Sequence, residues 1–594
     1  MLGAVVIYVL VSGVFELGSS ALSPVVKIAD GEIAGAEAFS WNGRPFYAFQ
    51  GIPYAAPPSA TCYKSQFLEP QPVKPWIGVW NASTRGSKCY AYDHGLYATA
   101  GAEDCLHLNV YTTKLPASNK NPSLDVIVFI HGGAFMFGSS NIYGPAYLLD
   151  SEADDIVLIT LNYRLGPLGK FSITGDDVVS GNNGLKDQVA ALKWIQKNVA
   201  AFGGNPQSVT IIGNSAGGAS VQYHFLSPLS DGLFHRGLSQ SGTFLNPWAF
   251  SENNVEKSHG LAANLGCPTH NSAEMVECLR SRPAESIVFL KKYVPWRYNP
   301  FSPWAPSVEA NSSKAFLSED PYKLLERGQI KDLPWLISFT SGEGLYPSFF
   351  LTLFYLNFAV RKFYLEKYPK KDSSCEHFNP YLKSCLYLIV FYKFFNSHCY
   401  EGSTTPPPLR PSVVGDRLYM VGIQQAVRFQ AAANKSPVYL LHFASPIEKS
   451  LSTKFCSSTK NYGVSHADDL GYILQASWGQ PWKSKEEWAK SRLLINIWLS
   501  FAKTGVPSVG STEWLPVSRN IKRTGDIDYV KINSYKDVES LKNPASTSTN
   551  FGLHLLIPRT RRSKISQGKN HPLPKLHLQI REGHSKCMEA LPAD

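Results

Sequence analysis

The most regular hydrophobic patterning lies between residues 125 and 241. Residues 126–130 run Val-Ile-Val-Phe-Ile, and 156–161 run Ile-Val-Leu-Ile-Thr-Leu; both are short, continuous and β-branched. Strands of that kind are buried on both faces. From 184 to 202 the apolar positions are Leu185, Val189, Leu192, Ile195 and Val199, the three-to-four spacing of a helix with one buried face. A third apolar run, 209–212, follows the turn residues Gly203-Gly204-Asn205-Pro206, and from Ala216 the chain reads as a helix with small residues in its first turn. Buried strands alternating with helices predict an α/β fold, a parallel sheet with helices on both faces. Farther on, 333–339 and 438–443 read as two more strands and 487–503 as an amphipathic helix. No internal repeat is visible, and Pro406-Pro407-Pro408 marks a surface loop.

The N-terminus departs from this pattern. Residues 2–15 are apolar, broken only by Gly and Ser, and Ser19 and Ala21 stand at −3 and −1 of a cleavage after Ala21. A signal peptide over 1–21 is the expectation, with a buried first helix as the alternative. No later apolar run reaches the ~18 residues that span a bilayer; the nearest is 349–360. The last residues, Leu591-Pro592-Ala593-Asp594, form neither an ER-retention signal nor a GPI-type tail. Three sequons begin at Asn81, Asn311 and Asn434, and ten cysteines suit an oxidising compartment. Spacing alone leaves the cysteine connectivity open, although Cys89 with Cys105 and Cys267 with Cys278 would close short loops. A secreted glycoprotein is expected.

With 44% hydrophobic and 17% charged residues, the 594-residue chain can bury a large core. Its formal charge of +11 would suggest nucleic acid if it were concentrated on a fold. From 557 onward, eight Lys/Arg face three acids, so the tail alone holds +5, and no nucleic-acid-binding signature accompanies the rest. The tail 557–594 is expected to be a disordered appendage to one domain over 22–556. No C-x-x-C or His-rich cluster suggests a metal, and no cofactor is called for.

Gly213-Asn214-Ser215-Ala216-Gly217 has the form G-x-S-x-G between a strand and a helix. By itself it could be a glycine-rich turn with an incidental serine. The context supplies chemistry: a sharp strand-to-helix turn exposes the serine, and small residues two places away avoid collision. The helix N-terminus puts a positive end near a developing oxyanion. His131-Gly132-Gly133-Ala134-Phe135 follows an upstream strand, where glycines let N–H groups point into a site. Gly132, Gly133 and the Ala216 N–H are thus candidate oxyanion donors. A serine needs a base and the base an orienting acid. The order Ser, acid, His is met by Ser215, by Glu343 in the strand-end turn Ser341-Gly342-Glu343-Gly344, and by His466 in the loop 463–469.

These residues sit among longer stretches that resemble the type-B carboxylesterase and cholinesterase family, most of all insect carboxylesterases. Residues 49–55 (Phe-Gln-Gly-Ile-Pro-Tyr-Ala) and 103–111 (Glu-Asp-Cys-Leu-His-Leu-Asn-Val-Tyr) resemble two of its signatures. Residues 162–169, 184–188 and 201–242 match as well, and the likeness covers 25–344 and 416–536. It implies an α/β-hydrolase fold with a mostly parallel central sheet, and cleavage of small-molecule carboxylic esters through an acyl-enzyme. Ser215 would be nucleophile, His466 base and Glu343 acid. The resemblance also implies disulfides Cys89–Cys105 and Cys267–Cys278, and an acyl-pocket aromatic at Trp248. Two other readings are a juvenile-hormone-esterase-like enzyme and a non-catalytic, esterase-like adhesion or binding protein; members of the latter kind typically lose the Ser or His that this chain keeps. A triacylglycerol lipase finds no lid segment.

Three departures stand out. Asn214 occupies the place where most of the family has Glu, which removes a buried charge while leaving a side chain able to hydrogen-bond. Juvenile-hormone esterases usually carry Gln there. No Trp lies between Cys89 and Cys105, which argues against a choline ester, whose quaternary ammonium needs an aromatic face. Residues 346–412 resemble nothing in the family and are expected to be a divergent gorge wall or intron-derived sequence. The sequence leaves the natural ester, the oligomeric state and the partners of Cys62, Cys375, Cys385, Cys399, Cys456 and Cys587 open.

Overall fold

A computed structural model describes residues 23–544 apart from 59–65, 94–97, 118–119, 152–153, 171–177, 290–301, 349–410, 456–460, 477–481, 483 and 522–524. The expected signal peptide, most of 346–412, the basic tail and the six cysteines of open pairing fall outside the described residues.

The apolar runs assemble into one sheet of 11 strands. In chain order these are β1 (Ala36–Phe39), β2 (Pro45–Pro53), β3 (His107–Thr112), β4 (Leu124–Ile130), β5 (Ile156–Leu161), β6 (Gly204–Asn214), β7 (Arg236–Gln240), β8 (Trp335–Thr340), β9 (Val438–Phe443), β10 (Asp528–Ile532) and β11 (Val538–Lys542). Their order across the sheet is β1-β2-β3-β5-β4-β6-β7-β8-β9-β10-β11. Strands from β5 through β10 run parallel, and antiparallel strands close both edges. The sequence marks β4, β5, β6, β8 and β9 because each is buried on both faces.

Alternation along single strands separates two cores. Val126, Val128 and Ile130 enter one, while Ile127 and Phe129 enter the other. The first lies under helices α1 (Asn183–Asn198), α2 (Ala216–Leu226) and α3 (Val421–Ala433); the second lies under α4 (Lys485–Thr504). A third cluster joins helices Asn254–Asn264 and Ser272–Arg280. Ser484 caps α4 by accepting from the Glu487 N–H, and Gly505 ends it at φ 77°.

β7 was not apparent from the pattern. Its Arg-Gly-Leu-Ser-Gln is polar, yet Gly237 to Gln240 are buried because the side chains bond inward: the Ser239 hydroxyl donates to the Gly218 carbonyl at 2.9 Å. β3 likewise lacks a continuous apolar run, although all six of its residues are buried. Both strands pair on each side inside the sheet.

The structure bonds Cys89 to Cys105 and Cys267 to Cys278. No helix among the described residues is long and apolar enough to cross a membrane. Asn81 and Asn311 are exposed, but Asn434 is 3% exposed and its amide donates to the Lys331 and Leu333 carbonyls. A glycan at Asn434 would have to displace that packing.

Arg164, at the end of β5's following turn, is 3% exposed and grips the fully buried Asp187 of α1 through Nε at 2.8 Å and Nη2 at 2.6 Å. Removing one partner strands a charge in the core. Arg164→Met is expected to lower unfolding free energy by about 3–5 kcal/mol, measured by urea denaturation. Adding Asp187→Leu should recover part of the loss.

Candidate active site

β6 ends at Asn214, and α2 begins at Ala216, so Ser215 makes the whole turn between them. Its backbone sits at φ 58°, ψ −120°, a conformation that L-residues rarely adopt. Two contacts hold it there. The Ser215 N–H donates to the Gln240 carbonyl at 2.7 Å, and the Ala219 N–H bonds back to the Ser215 carbonyl at 2.9 Å. The surrounding backbone approaches too closely for side chains. A Cβ on Gly217 would lie 2.0 Å from the Ile130 carbonyl oxygen. The first-turn N–H groups of α2, Ala216 among them, have no intrahelical acceptor, so the helix presents its positive end beside Ser215.

Across from this turn lies the loop after β4. A Cβ on Gly132 would lie 3.0 Å from Ser215 Cβ and 2.6 Å from the Asn214 oxygen, which puts the glycine backbone directly against the serine. Gly133 and Ala134 both take positive φ, 118° and 55°. The Gly133 carbonyl is held away by the Met136 and Phe137 N–H groups at 2.8 and 3.0 Å. His131 anchors the loop. Its ring stacks on Tyr163 with centroids 4.4 Å apart, its Nδ1 donates to the Gly132 carbonyl at 2.8 Å, and the Tyr163 hydroxyl donates to the His131 carbonyl at 2.8 Å. Burial pushes the His131 imidazole down to about 4, so it is neutral near pH 7.

Glu343 follows β8 and His466 lies in the loop after β9. The two loops meet edge to edge, with the Gly342 N–H donating to the Val464 carbonyl at 2.8 Å. His466 Nδ1 is 2.6 Å from Glu343 Oε2, and both side chains are buried. The other carboxylate oxygen accepts from the Thr340 N–H at 2.8 Å and from the Ser241 hydroxyl at 2.5 Å. Ser241 is a site residue that the sequence reading missed, although it lies in a stretch that matched the family; nothing in its neighbours signals that it reaches across to Glu343.

The loop bearing His466 has its own scaffold. Asp468 accepts from the Ser465 N–H at 2.5 Å, the Leu451 N–H at 2.8 Å and the Ser450 hydroxyl at 2.7 Å. Burial pushes its carboxyl up to about 8 against those three donors. Tyr419, in the widened helical turn Asp416–Met420, packs on the His466 ring at 4.7 Å and on Trp248 at 5.8 Å. The Trp248 indole donates to the Leu418 carbonyl at 2.9 Å. The structure therefore brings Ser215, Gly132 and Ala216 together on one side, Glu343 and His466 on the other, and Trp248 one ring removed from His466. The Nδ2 of Asn214 is buried without a hydrogen-bond partner among the described residues.

Residues 22–547 match the model of the carboxylesterase family. The chain belongs to this family. It is 41% identical over 550 residues to esterase E4 of Myzus persicae, covering 91% of this chain and 97% of the relative. Venom carboxylesterase-6 of Apis mellifera is 36% identical, covering 89% and 93%. The crystal structure of juvenile hormone esterase from Manduca sexta, with OTFP covalently attached, superposes with a TM-score of 0.72 at 26% identity, covering 88% of this chain and 97% of that one. The chain is thus a carboxylic ester hydrolase of α/β-hydrolase fold. The carboxylesterase frame leaves no room at the serine turn: Gly217→Ala is expected to lower the thermal unfolding midpoint by several degrees, on the order of 1–3 kcal/mol. Gly260→Ala, in a helix where an added Cβ meets nothing within 4 Å, should leave it unchanged or raise it.

Proposed function

We propose that this esterase acts outside the cell through a covalent acyl-enzyme formed on Ser215. The observation that carries the mechanism is the 2.6 Å bond between His466 Nδ1 and Glu343. A carboxylate on Nδ1 leaves Nε2 as the basic nitrogen and stabilises the imidazolium formed when the ring takes a proton. His466 would take the Ser215 proton as the hydroxyl attacks the ester carbonyl. The N–H groups of Gly132, Gly133 and Ala216 would receive the oxyanion. Protonated His466 would hand its proton to the leaving alcohol, and the same imidazole would then activate water to release the acid. Trp248, with Tyr419 beside it, would shape the pocket for the acyl group. The covalently attached OTFP in the Manduca sexta enzyme supports a covalent route on this fold.

A fluorophosphonate probe tests the assignment. The wild-type protein is expected to take up one probe per chain at Ser215, mapped by peptide mass spectrometry, and Ser215→Ala to take up none while losing ester hydrolysis by about 10³-fold or more. Stoichiometric labelling elsewhere, or none, would defeat both the nucleophile and the enzymatic reading built on it, and leave the non-catalytic alternative. The likeness to juvenile hormone esterase favours a terpenoid ester as second substrate reading. Relative kcat/KM on aryl, choline and terpenoid esters separates these.

Export is supported by the N-terminal pattern and two closed disulfides, and by exposed sequons. Expression in insect cells should place the protein in the medium, starting after Ala21, with glycan on Asn81 and Asn311 and an unmodified Asn434. Retention of residues 1–21 inside the cell would rule the secreted assignment out.

A further inference from the structure

Lys170 ends the short helix Gly166–Lys170, and its side chain is fully buried. Its Nζ has neither a hydrogen-bond partner nor an ion pair among the described residues. The buried acids of this region are engaged elsewhere: Asp187 holds Arg164 in two bonds, and Glu309 holds Lys186 at 2.8 Å. What the amine does meet is the ring of Phe135, whose centroid lies 4.8 Å from Nζ. A methionine would fill the same narrow space with no amine to desolvate, so packing does not account for a lysine here.

Phe135 belongs to the glycine loop that lies against Ser215, and it stands at φ 60° directly after Ala134 at 55°. Two successive side-chain-bearing residues in the left-handed region need support from outside the loop. Their carbonyls receive it. That of Ala134 accepts from the Ser302 hydroxyl at 2.6 Å, and that of Phe135 from the Gly166 N–H at 2.7 Å. The helix of Lys170 therefore holds Phe135 twice, with its first N–H on the backbone and its last side chain against the ring. A neutral amine can rest on that ring, but an ammonium there would lose its water and leave three N–H donors without acceptors. Burial accordingly pushes Lys170 down to about 7; Asp187 and Glu309 offset this in part, and Arg164 adds to it.

We propose that Lys170 is a positioning residue of the oxyanion loop and makes the order of that loop depend on pH. The neutral amine lets helix 166–170 stay packed under Phe135. Proton uptake favours an opened arrangement in which the ammonium reaches water and the loop N–H groups lose their alignment. This rests on the assignment of Gly132 and Gly133 as oxyanion donors above. The sign follows from linkage: the closed state holds the proton less firmly than an open one. Opening therefore grows as pH falls from the ordinary lysine value of 10.5 to about 7, and levels off below that. An ordinary imidazole titrates lower, at about 6.5, so the two effects are separable. The neighbouring groups are accounted for. Arg164 with Asp187 and Lys186 with Glu309 are paired, and burial pushes His224 of α2 down to about 3, which keeps it neutral. Glu285, in the adjoining helix Ala284–Val288, accepts from the Thr99 hydroxyl at 2.9 Å. In helix Asn254–Asn264, Asn254 donates to the Lys170 carbonyl at 3.3 Å. Burial pushes Lys257 of that helix down to about 8, but its amine keeps two acceptors, the Ser251 hydroxyl at 2.9 Å and the Pro303 carbonyl at 2.6 Å.

Lys170→Met keeps the packing under Phe135 and removes the proton. Peptide hydrogen–deuterium exchange at pH 7 and pH 9, corrected for intrinsic exchange rates, reads the opening directly. One proton changes it by up to about tenfold per pH unit, so wild-type protection of 131–137 and 166–170 is expected to rise about tenfold or more over that span. In Lys170→Met the change should stay within about twofold. On p-nitrophenyl acetate, wild-type kcat should rise about threefold from pH 7.5 to 9 with KM within about twofold, and the variant should lose that rise. Wild-type protection that is flat from pH 7 to 9 overturns the proposal. So does a rise that Lys170→Met retains, which would fall to Lys257 instead. Should the variant fail to fold, the wild-type exchange decides alone. Exchange needs no catalysis, so failure to label Ser215 would strike the serine-nucleophile reading and leave these outcomes readable.

Discussion

Everything in the site is arranged around the backbone of Ser215, held at positive φ in a turn of one residue. A conformation that L-residues disfavour persists only when its surroundings over-determine it, and here two strand ends and a helix start do so. The end of β4 passes so close that Gly217 can carry no side chain, the end of β7 binds the Ser215 N–H, and α2 starts immediately after. The strain and the close approach are one constraint. It exposes the hydroxyl while placing it against the Gly132 backbone and the positive end of a helix.

The parallel order of β4, β6, β7 and β8 turns that local constraint into a convergent candidate site. Their carboxyl ends all finish at the same edge, so the loops after them converge. Ser241 after β7 reaches Glu343 after β8, and Glu343 reaches His466 after β9. Behind them the sheet is buried on both faces, which holds the strand ends rigid. The polar residues of β7 serve the same end, since Ser239 and Gln240 fasten the strand to α2 and to the His466 loop.

The buried charges near the reaction differ in how they are held. Arg164 and Asp187 form a bidentate pair that locks α1 to the strand β5 turn. Asp468 is surrounded by donors from three segments and shapes the loop. Asp469 accepts from the Gln240 amide and from its neighbour's N–H. Burial raises the carboxyls of Asp468 and Asp469, and different donors offset it in each.

Much of this could be read from residue patterns. Doubly buried strands announce themselves as apolar runs, so β4, β5, β6, β8 and β9 were legible, as were α1 and α4 from their helical spacing. Ser215, Gly132, Glu343 and His466 were legible as candidates because a sharp turn, a close backbone approach and a strand-end acid each restrict residue type locally. The strands β7 and β3 were not, because their burial depends on partners far along the chain, and polar side chains that bond inward look like loop residues. For the same reason sequence could not show that Asn434 is buried in the fold, that Asn214 Nδ2 lacks a partner among the described residues, or that Ser241 reaches Glu343, Tyr419 packs on His466 and Gln240 bonds Asp469. Sequence by itself determined the candidate chemistry, since local backbone geometry dictates which residues can form a serine turn and a glycine loop against it. Tertiary structure alone decided what surrounds that chemistry, because hydrogen bonds and buried charges join residues whose separation along the chain carries no periodic signal.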